Sequence, residues 1–470
     1  MYVTTFTNAS LPSILLEDAA PLAATVAGSV LLPGEAGYDE ERAVWNLNHE
    51  LVPAVIVVPE SAADIQAAVT FAARQRRPVL VKTTGHQMVG QAHGAVVIAT
   101  RRMNDVNINA VDRTARVGAG AIWSEVVEKA AKAGLAPLNG SNPTVGVAGY
   151  TLGGGLSPTL GRSQGYAADH VRSLDVVTAD GELRHVDAES ESDLFWALRG
   201  GKGNFAVVTA LEFNLFPVSR LYGGAIYFSG ERTGEVLRAW TAWHPSTPET
   251  MVTSIAVMRM PVMPEVPEPM RGKFLVAVRI AYNGPIADGE RILAPLRAIA
   301  PSVLDTVRDM PYADVATIHS EPVDPVPYYE RGIMLREFPA QAQDKLIELI
   351  GPDSETDLVI AELRALGGAW DREPAVSNAV ATRGLPYSLL GVAAGPRSQE
   401  QQLKRSVADL LDGMRPWEGD RRNVNNLAPD EAADAAAIYG PERYQRLASI
   451  KKTYDPANMF RLNHNVTPAT

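Results

Sequence analysis

The 470 residues contain no cysteine. Disulfides, thiolate metal sites and a cysteine nucleophile are therefore excluded. Positive charge is scarce as well: 43 Lys and Arg stand against 54 Asp and Glu, a formal net charge of −11. The longest basic cluster is Arg74-Gln75-Arg76-Arg77. A nucleic-acid surface needs clustered cations, so no nucleic-acid partner is expected, and this cluster reads as a helix end favoured by the helix dipole. No apolar run approaches the length of a membrane span, so no membrane partner is expected either. The first basic residue is Arg42, and the apolar stretch from Ala19 to Leu32 is broken by Pro21 and Gly28. That is not a secretory pattern, and a cytoplasmic protein is expected. His170, His185 and His244 show no ligand spacing, so no metal is expected.

What is present is a chain with 46% apolar residues, enough for two or three domains. Residues 55–59 read as a buried strand, and Ser61 to Asp64 as a helix start of the capping-box type. Ile65, Ala68, Val69, Ala72 and Ala73 follow with the spacing of one helix face, up to Arg77-Pro78. A second strand then runs into the loop Lys82-Thr83-Thr84-Gly85-His86-Gln87-Met88-Val89-Gly90. Gly85 and Gly90 let backbone N–H groups approach a phosphate, Thr83 and Thr84 add hydroxyl donors, and His86 is the loop's nucleophilic side chain. Strand, helix, strand and loop make a βαβ-like opening.

Between Leu138 and Gly165 glycine density rises, with Gly153-Gly154-Gly155 in the middle of the stretch. Consecutive glycines are costly to order, and a phosphate or ring-system contact explains them better than a turn. Further on, Gly201-Lys202-Gly203-Asn204-Phe205-Ala206 fits a dinucleotide fingerprint by letter. It follows a helix and opens a strand, the reverse of the required order, which argues against NAD. Beyond Pro217 the pattern is of strands at 223–228, 253–260, 273–281, 331–337 and 357–363, with helices near 231–243 and 340–350. That is an antiparallel sheet backed by helices, an α+β second domain. The proline-rich stretch 260–270 reads as a surface loop, and 441–452 as a closing helix.

The ordered motifs resemble those of the berberine-bridge-enzyme-like FAD-linked oxidases of the vanillyl-alcohol-oxidase superfamily, and among them the bacterial branch typified by 6-hydroxy-D-nicotine oxidase. The carriers are Thr84-Gly85-His86, Pro143-Thr144-Val145-Gly146, Gly153-Gly154-Gly155, Gly165 with Asp169, Leu194 to Gly201, Gly203-Asn204-Phe205, Tyr454-Asp455-Pro456-Ala457-Asn458-Met459-Phe460 and Asn463-His464-Asn465. The resemblance implies a two-domain α+β fold of vanillyl-alcohol-oxidase type. In it, residues 1–220 and 420–470 form a discontinuous FAD-binding domain, and 221–419 an inserted substrate domain of antiparallel sheet and helices.

It also implies FAD as cofactor, held by Lys82, Thr83, Thr84, Gly85, Gln87 and Gly90 of the first loop. Ser141, Asn142, Val145, Gly146, Gly149, Tyr150, Gly154 and Gly155 of the second segment, Val207, and Asn463 and Asn465 near the ring complete the expected set. His86 is the expected site of a covalent bond to the flavin 8α carbon. Family members that add a second link use a cysteine where this chain has Asn142, so one histidyl link is expected here. Val145 matches a position beside the oxygen path, in keeping with O2 as acceptor.

The implied reaction moves a hydride from a C–H next to oxygen or nitrogen of a small-molecule substrate to flavin N5, with O2 returning as H2O2. A dehydrogenase with another acceptor, a natural-product cyclase and a non-catalytic flavin-binding protein are the alternatives. The family's tyrosine base is replaced by Asn423, which cannot accept a proton usefully. Candidates in its place are Tyr387, Tyr150 and His464, followed by Tyr328, Tyr329 and His319, while Arg383 and Arg336 are candidates for binding an acidic substrate.

Overall fold

The computed structural model describes residues 14, 16–264, 266–428 and 435–470. Among them the strands form three sheets. In the four-stranded sheet, Val55–Val58 and Val79–Lys82 both run parallel to Val96–Ala99, which lies between them, and Ser29–Leu31 pairs antiparallel on the other edge of Val55–Val58. Residues 55–58 are buried without a break because both faces of this sheet are covered. Val55, Val57, Val96 and Ile98 pack under the helix Ala62–Arg74, while Ile56, Val58, Val97 and Ala99 meet Tyr38, Val44 and Leu51. The helix begins where expected: Ser61 Oγ accepts the Asp64 N–H at 3.3 Å. The Asp64 carboxylate accepts from Glu60, Ala27 and Gly28 N–H groups, tying the helix start to the preceding segment.

The same helix layer covers Val177 and Val207 of the second, five-stranded sheet. That sheet runs Val106–Asn109, Thr114–Gly118, Ala206–Asn214, Val171–Thr178, Leu183–Asp187 in antiparallel order. Its other face packs Trp123, Val126, Val147, Leu194, Phe195 and Leu198 into a core that also holds Leu447, Ala448 and Ile450. The closing helix Pro441–Tyr454 therefore rests on the first half of the chain. It is fixed there by a buried ion pair, Lys451 Nζ to Asp455 Oδ2 at 2.7 Å, with both side chains fully enclosed. Lys451 also donates to Phe460 O, and Asp455 accepts the N–H groups of Met459 and Phe460. The Tyr-Asp-Pro motif is thus a structural knot that sets the course of the tail.

The third sheet is built from residues after Pro217 and has eight strands, with the main order Leu304–Asp305, Arg220–Ser229, Phe274–Tyr282, Met251–Arg259, Leu358–Ala365, Tyr387–Ala394, Tyr328–Leu335. All of its pairings are antiparallel. Helices Thr233–Trp243, Ala340–Ile350 and Glu400–Met414 cover one face with Trp240, Leu346 and Leu410. The other face looks toward the first half of the chain. The strand expected at 331–337 begins earlier, at Tyr328, which brings Tyr328 and Glu330 into the sheet. The strand Tyr387–Ala394 and the helices Ile286–Arg297 and Glu400–Met414 were not evident in the sequence pattern. Both helices carry few apolar residues outside their buried stripe. Among the described residues no helix is long and apolar enough to cross a membrane.

Candidate active site

The strand Val79–Lys82 delivers the histidine loop to the boundary between the two halves. Thr83 anchors it, with Oγ1 donating to Ala119 O at 3.0 Å and 2.9 Å from Thr100 Oγ1. Gly85 has φ +79°, and a Cβ there would lie 2.7 Å from Val44 Cα, so glycine alone fits the bend. The next residue, His86, stacks its ring on Trp45. Its Nδ1 is 3.0 Å from Thr84 Oγ1, and its Nε2 is buried without a hydrogen-bond partner. Burial lowers the imidazole pKa to about 4, so the ring is neutral at ordinary pH. Gln87, also at positive φ, donates through Nε2 to the Asn425 carbonyl.

His86 opens on a cavity of about 1500 Å³ between the first half of the chain and the eight-stranded sheet. A pocket for one drug-sized molecule is on the order of 300–1,000 Å³, so this space suits a dinucleotide together with a substrate. Thr83, Thr84, Gly85, Gln87, Ser141, Asn142, Val145, Gly146, Gly149, Tyr150, Asn463 and His464 all line it, together with Lys202 and Gly203. Asn142 donates to Pro322 O at 2.9 Å and its Oδ1 accepts from Thr144, which holds the segment in place. Asn463 donates to Gly203 O and Phe460 O, each at 3.0 Å. His464 is buried and its pKa is lowered to about 3, by burial first and the Lys202 charge second. Burial also lowers the Lys202 ammonium to about 8; its Nζ lies 3.5 Å from Val424 O.

The sheet above the cavity alternates, as period-2 strands must. Tyr328, Glu330, Ile360, Glu362, Arg364, Ser388, Leu390 and Val392 face the cavity, while Tyr329, Ile333, Ala361, Leu363, Leu389 and Ala393 face the helices. Two carboxylates sit on this roof in different surroundings. Burial alone would raise Glu362, yet Arg279 at 2.8 Å and Arg364 at 3.1 Å hold it well below the usual carboxylate range. Glu330 has no such cations: burial, and then the charge of Glu321, raises it to about 7.

Several expected site residues lie elsewhere. Tyr387 does not line the cavity; it falls on the helix face of its strand, with Oη 3.0 Å from His244 Nε2 and its ring against Phe338. Tyr329 shares that face. Lys82 is turned away and donates to Ala43 O at 2.7 Å. The Gly90 carbonyl is 2.8 Å from His49 Nε2, on the far side of the loop. Gly154 and Gly155 pack behind the lining segment, where a Cβ would lie 3.3 Å from Val380 and 2.6 Å from the Tyr150 ring. Val207 belongs to the core under the shared helix, and its neighbours Ala206 and Val208 line the cavity instead. Asn465 lies beyond the lining Asn463 and His464. Arg383 is buried against Asp169 and Asn378, and Arg336 is an exposed donor to Glu418 O. The stretch 260–270 is more than a surface loop, since Met260, Met263, Val266 and Met270 form part of the cavity wall.

A dinucleotide fits these residues. Gly149 and Gly203 line the cavity and a Cβ on either would meet no protein atom within 4 Å, so the space over them is left for a ligand. The polar atoms His86 Nε2, Tyr150 Oη, Asn463 Oδ1 and His464 Nδ1 are buried and unpartnered, all on lining residues.

Comparison with known proteins agrees. Residues 53–187 match the family model described as FAD binding domain, and residues 424–467 the one described as berberine and berberine like. The (R)-6-hydroxynicotine oxidase of Paenarthrobacter nicotinovorans is 29% identical over 469 residues, covering 94% of this chain and 97% of that protein. The chain is an FAD-linked oxidoreductase similar to the berberine-bridge-like enzymes. The FAD-linked oxidoreductase aurO of Gibberella zeae is 28% identical over 92% of this oxidoreductase and 84% of its own length. Among solved structures, 6-hydroxy-D-nicotine oxidase from Arthrobacter nicotinovorans superposes with a TM-score of 0.80 at 26% identity, covering 96% of this oxidoreductase and all of that chain. The xylooligosaccharide oxidase of Myceliophthora thermophila, at 22% identity and TM-score 0.83 over 96% and 100%, shares the fold. That fold is the two-part vanillyl-alcohol-oxidase type.

Trp45, Lys202 and Glu330 are among the cavity residues that stand outside the set expected from the sequence. Glu330 had a signal in the alternation Tyr328-Tyr329-Glu330, which a strand start at Arg331 conceals. Trp45 and Lys202 had none that spacing could reveal.

Proposed function

We propose that this oxidoreductase removes a hydride from a C–H bond next to oxygen or nitrogen of a small-molecule or natural-product substrate and uses O2 as acceptor, releasing H2O2. FAD supplies the two-electron acceptor at N5. The observation that carries the reading is the cavity between the first half of the chain and the eight-stranded sheet. Its floor is the histidine loop and glycine-rich segments, and its roof is a separate sheet with charged and apolar side chains. Such a space can hold a substrate carbon against a ring. Val145, small and cavity-lining, supports oxygen access. The nicotine oxidase among the similar proteins supports an oxidase.

In this reading His86 is the single covalent tether. A neutral imidazole with an unpartnered Nε2 has the lone pair that bond needs, Thr84 stands at the other ring nitrogen, and Trp45 fixes the plane. The loop N–H groups from Thr83 to Gln87, with Ser141 to Tyr150, Gly203 and Asn463, would hold the rest of the dinucleotide. Residues 1–220 with 420–470 would make the FAD domain and 221–419 the substrate domain. The segment near Val376 to Ala379 crosses that line, because Arg199 donates to Val376 O and Ser377 O. The test is a substrate screen that follows flavin bleaching without oxygen and H2O2 release with it. Bleaching without peroxide would favour a dehydrogenase.

A further inference from the structure

Of the tyrosine and histidine candidates, Tyr328 and His319 line the cavity. Burial holds the Tyr328 phenol protonated well above its ordinary value, and burial with the Arg279 charge makes the His319 imidazole a weaker base. Tyr387 lies outside the cavity, and burial raises the Tyr150 phenol far above its ordinary value while no base stands beside it. Burial and Lys202 keep His464 a very weak base.

The roof offers two carboxylates whose surroundings push them apart, a pattern that divides roles between acid–base groups. Glu362 is locked in its ionised form by Arg279 and Arg364. The other, Glu330, faces the cavity from the strand Tyr328–Leu335 and reaches across it to the histidine loop, with Oε1 3.4 Å from Gln87 Nε2. Gln87 is the neighbour of His86, so this carboxylate stands opposite the place where the loop would hold a flavin. The groups that face it are Tyr328 on its own strand, Glu321 from the preceding segment, neutral Gln87 from the loop, and apolar Val392 on the next strand. No lysine or arginine pairs with it among the described residues.

We propose that Glu330 is the general base of the oxidation, taking the proton from the substrate hydroxyl or amine nitrogen. In that step the C–H bond breaks with its electron pair passing to FAD. The O–H or N–H bond breaks with its proton passing to the Glu330 carboxylate. The electron pair left on the heteroatom closes the C=O or C=N bond. Gln87 acts as a positioning residue, because its amide spans the Asn425 carbonyl and Glu330. A carboxyl raised to about 7 is matched to this task near neutral pH, where half of it is ready to accept.

This inference rests on the hydride-transfer reading, and the test separates the two. The visible flavin spectrum of wild-type holoenzyme, titrated from pH 5.5 to 8.5, should shift with an apparent pKa near 7, and Glu330→Gln should lose that shift with its flavin content unchanged. Anaerobic bleaching is then followed with (R)-6-hydroxynicotine, D-glucose, xylobiose and a panel of secondary alcohols and amines. For any compound that bleaches the wild type, Glu330→Gln should slow bleaching by about 10²–10⁴-fold and remove its rise with pH. Glu330→Asp should recover part of the rate. An unchanged titration in Glu330→Gln, or bleaching within a few-fold of wild type with the same pH profile, overturns the role of Glu330. A panel that never bleaches the wild type counts against the hydride-transfer reading instead, and the titration still decides on Glu330.

Discussion

The imidazole of His86 lies on the indole of Trp45, with ring centroids 4.2 Å apart and planes 20° from parallel. A ring held this way has one rotational state to present to a partner. His86→Ala should leave all flavin in the supernatant after acid precipitation, whereas wild-type flavin should pellet with the chain. Trp45→Leu keeps the nucleophile but frees the ring, so the fraction of flavin fluorescing in a denaturing gel should fall. Chain-bound flavin surviving in His86→Ala would refute the tether.

Gly149 and Gly203 face the cavity, and a Cβ on either would have no protein atom within 4 Å. A leucine at Gly149 would therefore fold without a clash in its own neighbourhood and occupy ligand space. Gly149→Leu should weaken FAD binding by about tenfold or more, ~1.4 kcal/mol, with unchanged circular dichroism. Normal flavin stoichiometry after dialysis would place the cofactor elsewhere.

Lys451 and Asp455 are fully enclosed, and removing one partner strands the other's charge. Asp455→Ala should cost ~3–5 kcal/mol of stability, read as a lower urea midpoint. The simultaneous change to a Met–Leu pair should recover much of that loss. A midpoint unchanged by Asp455→Ala would show that the tail contributes nothing to the fold.

Acid should destabilise the protein through its buried histidines. Unfolded, an imidazole takes up a proton near pH 6.5; folded, His464 does so only near about 3 and His244 near about 4. Below pH 6.5 the unfolded chain holds the extra protons. Stability is thus complete above that pH and declines as pH falls toward the folded values, by up to ~1.4 kcal/mol per unit for each histidine. His464→Gln should flatten the fall of Tm between pH 6.5 and 4. Parallel curves for the two proteins would show that His464 is not buried neutral.

Where local pattern and burial agreed, the sequence was readable. The run Val55 to Val58, the Ser61 helix start and the helix at 340–350 appear as expected, since each combines a periodic apolar face with a defined end. The histidine loop was legible through Gly85 and His86, whose chemistry is local. The cavity carboxylate was not. Tyr387 and Glu330 lie on neighbouring strands of one sheet, and which of them meets the cavity depends on strand parity, which a shift of one residue reverses. The Gly154 and Gly155 pair looked like ligand contacts for a related reason: close packing against Tyr150 and Val380 demands the same missing side chain as close approach of a cofactor.

The parity of the roof sheet has a consequence for how such an enzyme can change. On its strands Tyr328–Leu335, Leu358–Ala365 and Tyr387–Ala394, Ile333, Leu363 and Leu389 pack against the helices, while Ile360, Leu390 and Val392 line the cavity. Interior shape and framework are thus written on alternate letters of the same strands. Descendants of this chain can acquire a new diet by altering every second position, leaving the scaffold that keeps them folded untouched.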